Sequence, residues 1–207
     1  MAQFLEIHTQ DPQPRLISQA VAQIRQGAVV VYPTDSGYAL GCGLDEKSAV
    51  DRIRQIRRLD KKHMFTLICR DLSEISTYAQ VNNMAYRQLR SHTPGHYTFI
   101  LRATREVPRR LQDDKRKTVG IRVPENRVAQ ALLDALGEPL LSCSLILPDD
   151  ESPLLDAEEI LDRVGSQVDL VINGGFCGDD PTTVVDLQGD SPIVLREGKG
   201  NCDAFAE

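Results

Sequence analysis

Residues 28–43 read Ala28-Val29-Val30-Val31-Tyr32-Pro33-Thr34-Asp35-Ser36-Gly37-Tyr38-Ala39-Leu40-Gly41-Cys42-Gly43. The opening run to Tyr32 has the length and β-branched content of a buried strand. Pro33 has no backbone donor and is expected to stop the sheet ladder there. Gly37, Gly41 and Gly43 permit close turns, and Glu46 to Arg57 follows as a helix. Thr34, Asp35, Ser36 and Tyr38 would then place three hydroxyls and one carboxylate at the end of a strand, where open α/β sheets bind ligands. An ordinary strand-to-helix connection could hold the same residues. Four polar side chains and three glycines in twelve residues favour a ligand loop. No Gly-Lys-Ser/Thr follows, so it is not a phosphate loop of the Walker kind.

Away from this stretch the pattern alternates between strands and helices. Phe4 to His8 is a first strand, and Leu16, Ile17, Ala20, Val21 and Ile24 recur at helical spacing before Gly27. Ala49, Val50, Ile53 and Ile56 form one apolar helix face. Met64–Cys69, His96–Leu101, Val119–Val123, Pro139–Leu147, Val168–Ile172, Thr182–Leu187 and Ile193–Arg196 are expected strands, the last two antiparallel. Helices are expected over Asp71–Ala79, Asn83–Ser91 and Glu125–Leu136, the last stopped by Gly137. Another opens at Asp156, with Glu159 three residues on as in a capping box. Arg102–Thr118 is basic and aperiodic, an exposed loop with a short helical turn. No repeat or linker is visible, so one domain over residues 1–207 with a mixed sheet is the simplest account.

The 207 residues are enough to bury a substantial core, and 41% hydrophobic with 26% charged residues is a normal balance for a soluble chain. No apolar run approaches the roughly 20 residues that span a bilayer, and no signal peptide is expected. Cys42, Cys69, Cys143, Cys177 and Cys202 are scattered and odd in number, which fits reduced thiols in the cytoplasm rather than a metal site or disulfide framework. The net charge of −6 conceals an asymmetry. Of 24 Lys and Arg, 18 fall between Arg52 and Arg127, against 7 of the 30 Asp and Glu. A basic segment inside an acidic chain points to an anionic, phosphate-bearing partner, although any single charge is as well explained by solvation. Arg57 and Arg58 also complement a helix dipole.

The histidines make no metal site: His92 and His96 are separated by Pro94 and Gly95, which forbid a helix aligning them. Ser142 and Ser144 point the same way along one strand. Arg122, between Ile121 and Val123, is costly to bury unless it holds an anion or a carboxylate. Either it faces a cavity with Thr34 and Ser142, or it forms a structural bridge with an acid such as Asp35.

Taken together, several segments resemble the YrdC-like family. Pro33-Thr34-Asp35-Ser36-Gly37-Tyr38-Ala39-Leu40-Gly41 is similar to its Pro-Thr-acid-Thr-x-Tyr-Gly-Leu-Gly loop. Thr93-Pro94-Gly95-His96-Tyr97-Thr98 resembles its Pro-Gly-x-x-Thr segment, Arg122-Val123-Pro124 its Arg-x-Pro, and Pro139 to Ser144 its Pro-Leu-x-Ser-x-Ser. Pro181-Thr182-Thr183-Val184-Val185-Asp186 resembles Pro-Ser-Thr-Val-Val-Asp, and Leu195-Arg196 the family's late Leu-Arg. The order is preserved over nearly the whole chain. The resemblance implies a twisted mixed α/β sheet with helices around one large basic cavity. In the family's synthases that cavity takes ATP, bicarbonate and threonine to threonylcarbamoyl-adenylate, the donor for a tRNA base modification. Mg²⁺ and cations would neutralise the triphosphate, with no covalent intermediate and no tightly bound metal. The family is also associated with double-stranded RNA.

Carried over by position, the resemblance assigns Thr34, Tyr38, Arg122 and Ser142 to an amino-acid-like substrate. It assigns Arg57, Arg58, Lys61, Lys62, His63, Ser144, Thr183 and Arg196 to nucleotide or phosphate. Two departures stand out. Where the synthases carry Lys-x-Arg this chain has Arg57-Arg58-Leu59, and where they carry Ser-x-Asn it has Ser144-Leu145-Ile146. Leu cannot neutralise phosphate and Ile cannot donate a hydrogen bond. Losing one preorganised contact to developing charge costs about 10²–10³ in rate. The leading expectation is therefore a cytoplasmic protein that binds RNA and a nucleotide, with at most weak synthase activity. Full threonylcarbamoyl-AMP synthase activity is the alternative, with Arg58 or Lys61 standing in for the missing Arg.

Overall fold

Pro33 does not end a strand. In the computed structural model, which describes residues 1–60, 63–113 and 115–205, β2 runs Val30–Thr34 through the proline and turns at Asp35-Ser36 into β3, Gly37–Gly43. Pro33 stands opposite Tyr38, one pair in from the closing pair Thr34–Gly37. Antiparallel alternation makes that inner pair a non-bonded one, so the missing N–H points away from β3. On that other side β2 is paired only at Val30 and Val31, and the ladder loses nothing. The expected strand-to-helix loop is thus mostly a hairpin. Gly37 closes it at φ +106°, a left-handed value that disfavours a side chain.

The remaining elements fall close to expectation. They are β1 Gln3–Glu6, α1 Pro14–Ile24, α2 Lys47–Arg57, β4 Thr66–Ile68, α3 Leu72–Tyr78, α4 Asn83–His92, β5 Tyr97–Arg102 and β6 Thr118–Arg122. Then follow α5 Arg127–Leu136, β7 Leu140–Ser144, α6 Ala157–Val164, β8 Leu170–Asn173, β9 Thr183–Asp186 and β10 Ile193–Arg196. Four helices carry side-chain N-caps: Asp71, Asn82, Asn126 and Asp156 each accept a backbone N–H three residues on, at 2.8–3.0 Å. Gly137 ends α5 at φ +76°. Arg58 ends α2 in the same left-handed conformation, at φ +48°.

The strands form one mixed sheet in the order β1-β8-β2-β3-β7-β4-β6-β5-β9-β10. β1, β2, β4 and β5 make parallel pairs with β8, β8, β6 and β9; the other neighbours, β9 and β10 included, are antiparallel. One face buries Val31, Leu40, Leu67, Phe99, Ile121 and Leu141 against Ile53 of α2, Ile75 of α3, Leu89 of α4 and Ile160 of α6. The opposite face is covered over only part of its width. There α1 and α5 bring Ile17, Val21, Leu132 and Leu133 onto Val30, Tyr32, Leu170 and Ile172. Each fully buried Leu of α5 contributes about 2 kcal/mol of apolar burial. Beyond this helix pair the same face, across β4, β5, β6 and β7, is the floor of a cavity.

No helix among the described residues is long and apolar enough to cross a membrane.

Candidate functional site

The cavity holds about 530 Å³. Strand alternation builds its floor. Thr118, Gly120 and Arg122 face it from β6 while Val119, Ile121 and Val123 are buried in the core behind; Thr66, Thr98, Ile100 and Ser142 face it from the neighbouring strands. Thr34 and Ser36 close the inner end. Arg57, His63, Met64 and Phe65 form the wall beyond α2, with Ser144 and Ile146 beside them. Asp113 and Arg116 come from the β5–β6 connection, and Pro181, Thr182, Leu195 and Arg196 from around β9 and β10. Four arginines against one carboxylate make the lining basic.

Both readings of Arg122 hold at once. It lines the cavity, and its guanidinium is also engaged from behind. Nη2 donates to Asp35 Oδ1 at 2.5 Å and Nη1 to Ser36 Oγ at 2.7 Å. The second Asp35 oxygen pairs with His96 Nδ1 at 2.5 Å. Arg122 Nε is buried without a protein partner. Thr34 Oγ1 is tied into the turn, donating to Gly37 O at 2.7 Å and accepting from Ser36 N. Behind Ser142, Tyr32 donates to its Oγ at 2.7 Å. Burial pushes the Tyr32 phenol well above its ordinary range, with the Ser142 hydrogen bond opposing, so it remains a neutral donor. Tyr38 lines the wall, but its hydroxyl is committed to the backbone of Gly174 and Gly175.

The other end is half-buried and cationic. Arg57 donates to the Ser144 carbonyl. Burial lowers its guanidinium from the ordinary value, and burial, then the charge of Arg57, lowers the His63 imidazole. The His63 ring stands edge-on to Phe65, over which Arg54 sits 5.1 Å from the ring centre. Asp113 accepts from the amides of Lys115 and Arg116, contacts that hold its carboxyl below the usual range and shape the loop presenting Arg116.

The structure brings Thr34, Tyr38, Arg57, His63, Arg122, Ser142, Ser144 and Arg196 to one cavity. It does not bring Arg58 or Thr183. The left-handed turn at Arg58 sends its side chain outward, 3.6 Å from Asp149, with both groups exposed. Thr183 is fully buried and donates to Gly200 O at 2.6 Å; its neighbour Thr182 faces the cavity and meets Thr98 Oγ1 at 2.9 Å. Arg196 reaches the Thr182 carbonyl at 2.8 Å. Lys61 and Lys62 lie outside the described residues. Leu59 packs against the core and is not in the lining, whereas Ile146 is. Ser36, one of the polar side chains of the candidate ligand loop, lines the cavity as well, whereas sequence reasoning passed over Thr66, Thr98, Thr118 and Arg116. Period-two alternation through Arg122 points to Thr118; Arg116 carried no signal beyond its charge.

Comparisons with known proteins agree with this architecture. Residues 22–198 match the Sua5/YciO/YrdC family model, described as telomere recombination. The chain is 59% identical to YciO of Escherichia coli K12, over 99% of this chain and 100% of that one. The crystal structure of Escherichia coli YciO superposes with a TM-score of 0.94 over the same shares. A threonylcarbamoyl-AMP synthase of Vibrio vulnificus is 29% identical over 76% of this chain and 86% of its own length. The crystal structure of P. abyssi Sua5 complexed with L-threonine shares the fold at a TM-score of 0.86 with 22% identity, covering 95% of this chain and 58% of that one. With a family model spanning most of its length and a basic cavity on the open half of its sheet, this chain belongs to the Sua5/YciO/YrdC family.

Proposed function

We propose that this protein binds a nucleotide in the cavity and RNA on the basic surface around its mouth, with at most weak threonylcarbamoyl-AMP synthase activity. The observation that carries the reading is the composition of the lining. Arg57, Arg116, Arg122 and Arg196 converge with a floor of hydroxyls, while Ile146 stands beside Ser144 at the end where Arg57 sits. Arginine forks suit phosphate and carboxylate; an isoleucine contributes nothing to a developing negative charge. Thr34, Ser36 and Arg122 receive a carboxylate-bearing substrate such as L-threonine. Arg57, Ser144 and His63 receive phosphate. Asp113 is the only carboxylate among the described lining residues, and its own loop occupies it. Mg²⁺ therefore enters with the nucleotide's phosphates rather than in a protein cage.

The RNA part rests on a contiguous feature. Arg102, Arg105, Arg109, Lys115 and Lys117 are exposed on or beside the β5–β6 connection, and Arg116 belongs both to that loop and to the cavity lining. Such a rim suits duplex or structured RNA held through phosphates and shape.

Full synthase activity is favoured by a separate observation: Thr34, Arg122, Ser142, Ser144 and Arg196 all reach the cavity. Incubation with ATP, bicarbonate and L-threonine decides between the two, read as pyrophosphate and adenylate. Formation far slower than that of the Vibrio vulnificus relative is the expected result. An equal rate would establish the alternative.

A further inference from the structure

Asp35 is not among the residues that line the cavity, yet it is bonded to one that does. Its side chain is 5% exposed, and its two oxygens are divided between Arg122 Nη2 and His96 Nδ1, each at 2.5 Å. An ionised carboxylate only accepts, so Nδ1 carries a hydrogen in this contact. The His96 ring is 25% exposed, and its Nε2 lies 3.9 Å from Glu125 Oε2. From the cavity outward the order is Arg122, Asp35, His96, Glu125. Among the described residues the charged groups within ion-pair distance of the imidazole are Asp35 from the β2–β3 turn and Glu125 from between β6 and α5, with Arg122 behind Asp35 and Lys199 Nζ near the Asp35 backbone across Gly178.

We infer that His96 is a positioning residue whose protonation sets how far Asp35 neutralises Arg122, and hence how firmly the inner end of the cavity holds a carboxylate. With a neutral imidazole, Arg122 and Asp35 cancel and the inner end carries no net charge. With an imidazolium, one carboxylate is shared by two cations. Asp35 is drawn toward His96, and the surplus positive charge falls on the side that faces the ligand. Histidine is the side chain suited to such a change near neutral pH, and the partly exposed ring gives protons a way in from solvent. The inference rests on the proposed reading that Arg122 receives a carboxylate.

The test is calorimetric titration of the full chain with L-threonine at fixed ionic strength between about pH 7.5 and about pH 5.5, where neither the carboxyl nor the amino group of the ligand titrates. Affinity is expected to rise about tenfold on acidification in the wild type, to lose that rise in His96→Gln, and to vanish in Arg122→Gln. Wild-type binding that ignores pH overturns the role of His96 and leaves the carboxylate reading standing. A rise that survives in His96→Gln also overturns it. Absence of threonine binding at every pH overturns the carboxylate reading and this inference with it. Should His96→Gln not fold, the ¹⁵N imidazole shifts of the wild type replace it. The His96 midpoint must move up when threonine saturates the site, and an unmoved midpoint counts against the inference.

Discussion

Tyr32 donates to Ser142 Oγ at 2.7 Å, joining β2 to β7 across the intervening β3. The bond passes over Gly41. A Cβ at that residue would lie 2.8 Å from Tyr32 Cε1, a rigid ring atom with nowhere to retreat. The glycine is therefore required by the tyrosine, and the tyrosine fixes a serine on the cavity floor. Tyr32→Phe is expected to cost about 1 kcal/mol. Gly41→Ala is expected to cost more, about 1–3 kcal/mol, because it overpacks a filled core. Urea unfolding of the two variants checks the order. A Gly41→Ala variant as stable as the wild type would show that the ring has room to move.

Arg122 and Asp35 are both nearly sealed, at 8% and 5% side-chain exposure. Removing one leaves the other uncompensated. Arg122→Met should destabilise the fold by about 3–5 kcal/mol. Arg122→Lys keeps the charge but cannot serve Asp35 and Ser36 together, and should fall between Met and wild type. Chemical denaturation ranks them, and equal stability of all three would remove the energetic argument for the pair.

His63 carries a pH dependence of its own. Its folded-state affinity for protons is lowered by burial and by Arg57, so the unfolded chain binds more protons once the pH falls through the unfolded value of about 6.5. Stability is therefore expected to fall on acidification from that value through the depressed folded one, with no contribution above both. His63→Gln should flatten this part of the curve. Bound phosphate reverses the bias, so anion binding near neutral pH should take up protons. Titrating sulfate, an anion with no group that titrates near neutral pH, in two buffers of different ionisation enthalpy measures that uptake directly. Identical heats in both buffers would show that His63 stays neutral.

Ile146 is the departure that faces the cavity, whereas Leu59 is half-buried, packs against the core and is not in the lining. Ile146→Asn alone is expected to raise pyrophosphate formation at least tenfold, within the roughly 10²–10³ that one preorganised donor supplies. Leu59→Arg should change the rate little, since position 59 is outside the lining, and should cost some stability through lost apolar packing. An unchanged rate in Ile146→Asn would place the limit elsewhere in the cavity.

RNA binding, if it uses the exposed β5–β6 connection, must release counterions. Affinity for a duplex should fall linearly on a log–log plot against salt. Replacing Arg105, Lys115 and Lys117 by Gln should lower that slope by two to three units, about 0.9 per phosphate contact. Filter binding across salt concentrations reads both. A flat plot, or no binding at low salt, excludes this surface.

The helices were legible because their signals are local. Asn126 caps α5 and Gly137 ends it within the chain segment that also carries its apolar face. The hairpin was hidden by Pro33, whose acceptability depends on where β8 stops pairing with β2, a non-local fact. The choice between Thr182 and Thr183 turned on strand parity, and one residue of uncertainty at the start of β9 exchanges cavity for core. Arg58 misled because a non-glycine residue in a left-handed cap reverses the direction expected from helical spacing. The place of Arg116 in the cavity lining depends on how its loop folds around Asp113, which is not written in adjacent residues.

On β6 the cavity-floor residues Gly120 and Arg122 are each flanked by residues sealed in the core on the reverse side, Val119, Ile121 and Val123. Sliding the strand by one position would bury the arginine and expose the valine. The floor is therefore as cooperative as the sheet itself, and its amides should exchange with deuterium only on global opening. The rim has no such tether. Ligand preference in this architecture can drift through the β5–β6 connection and the segment after β7, while the floor stays in register.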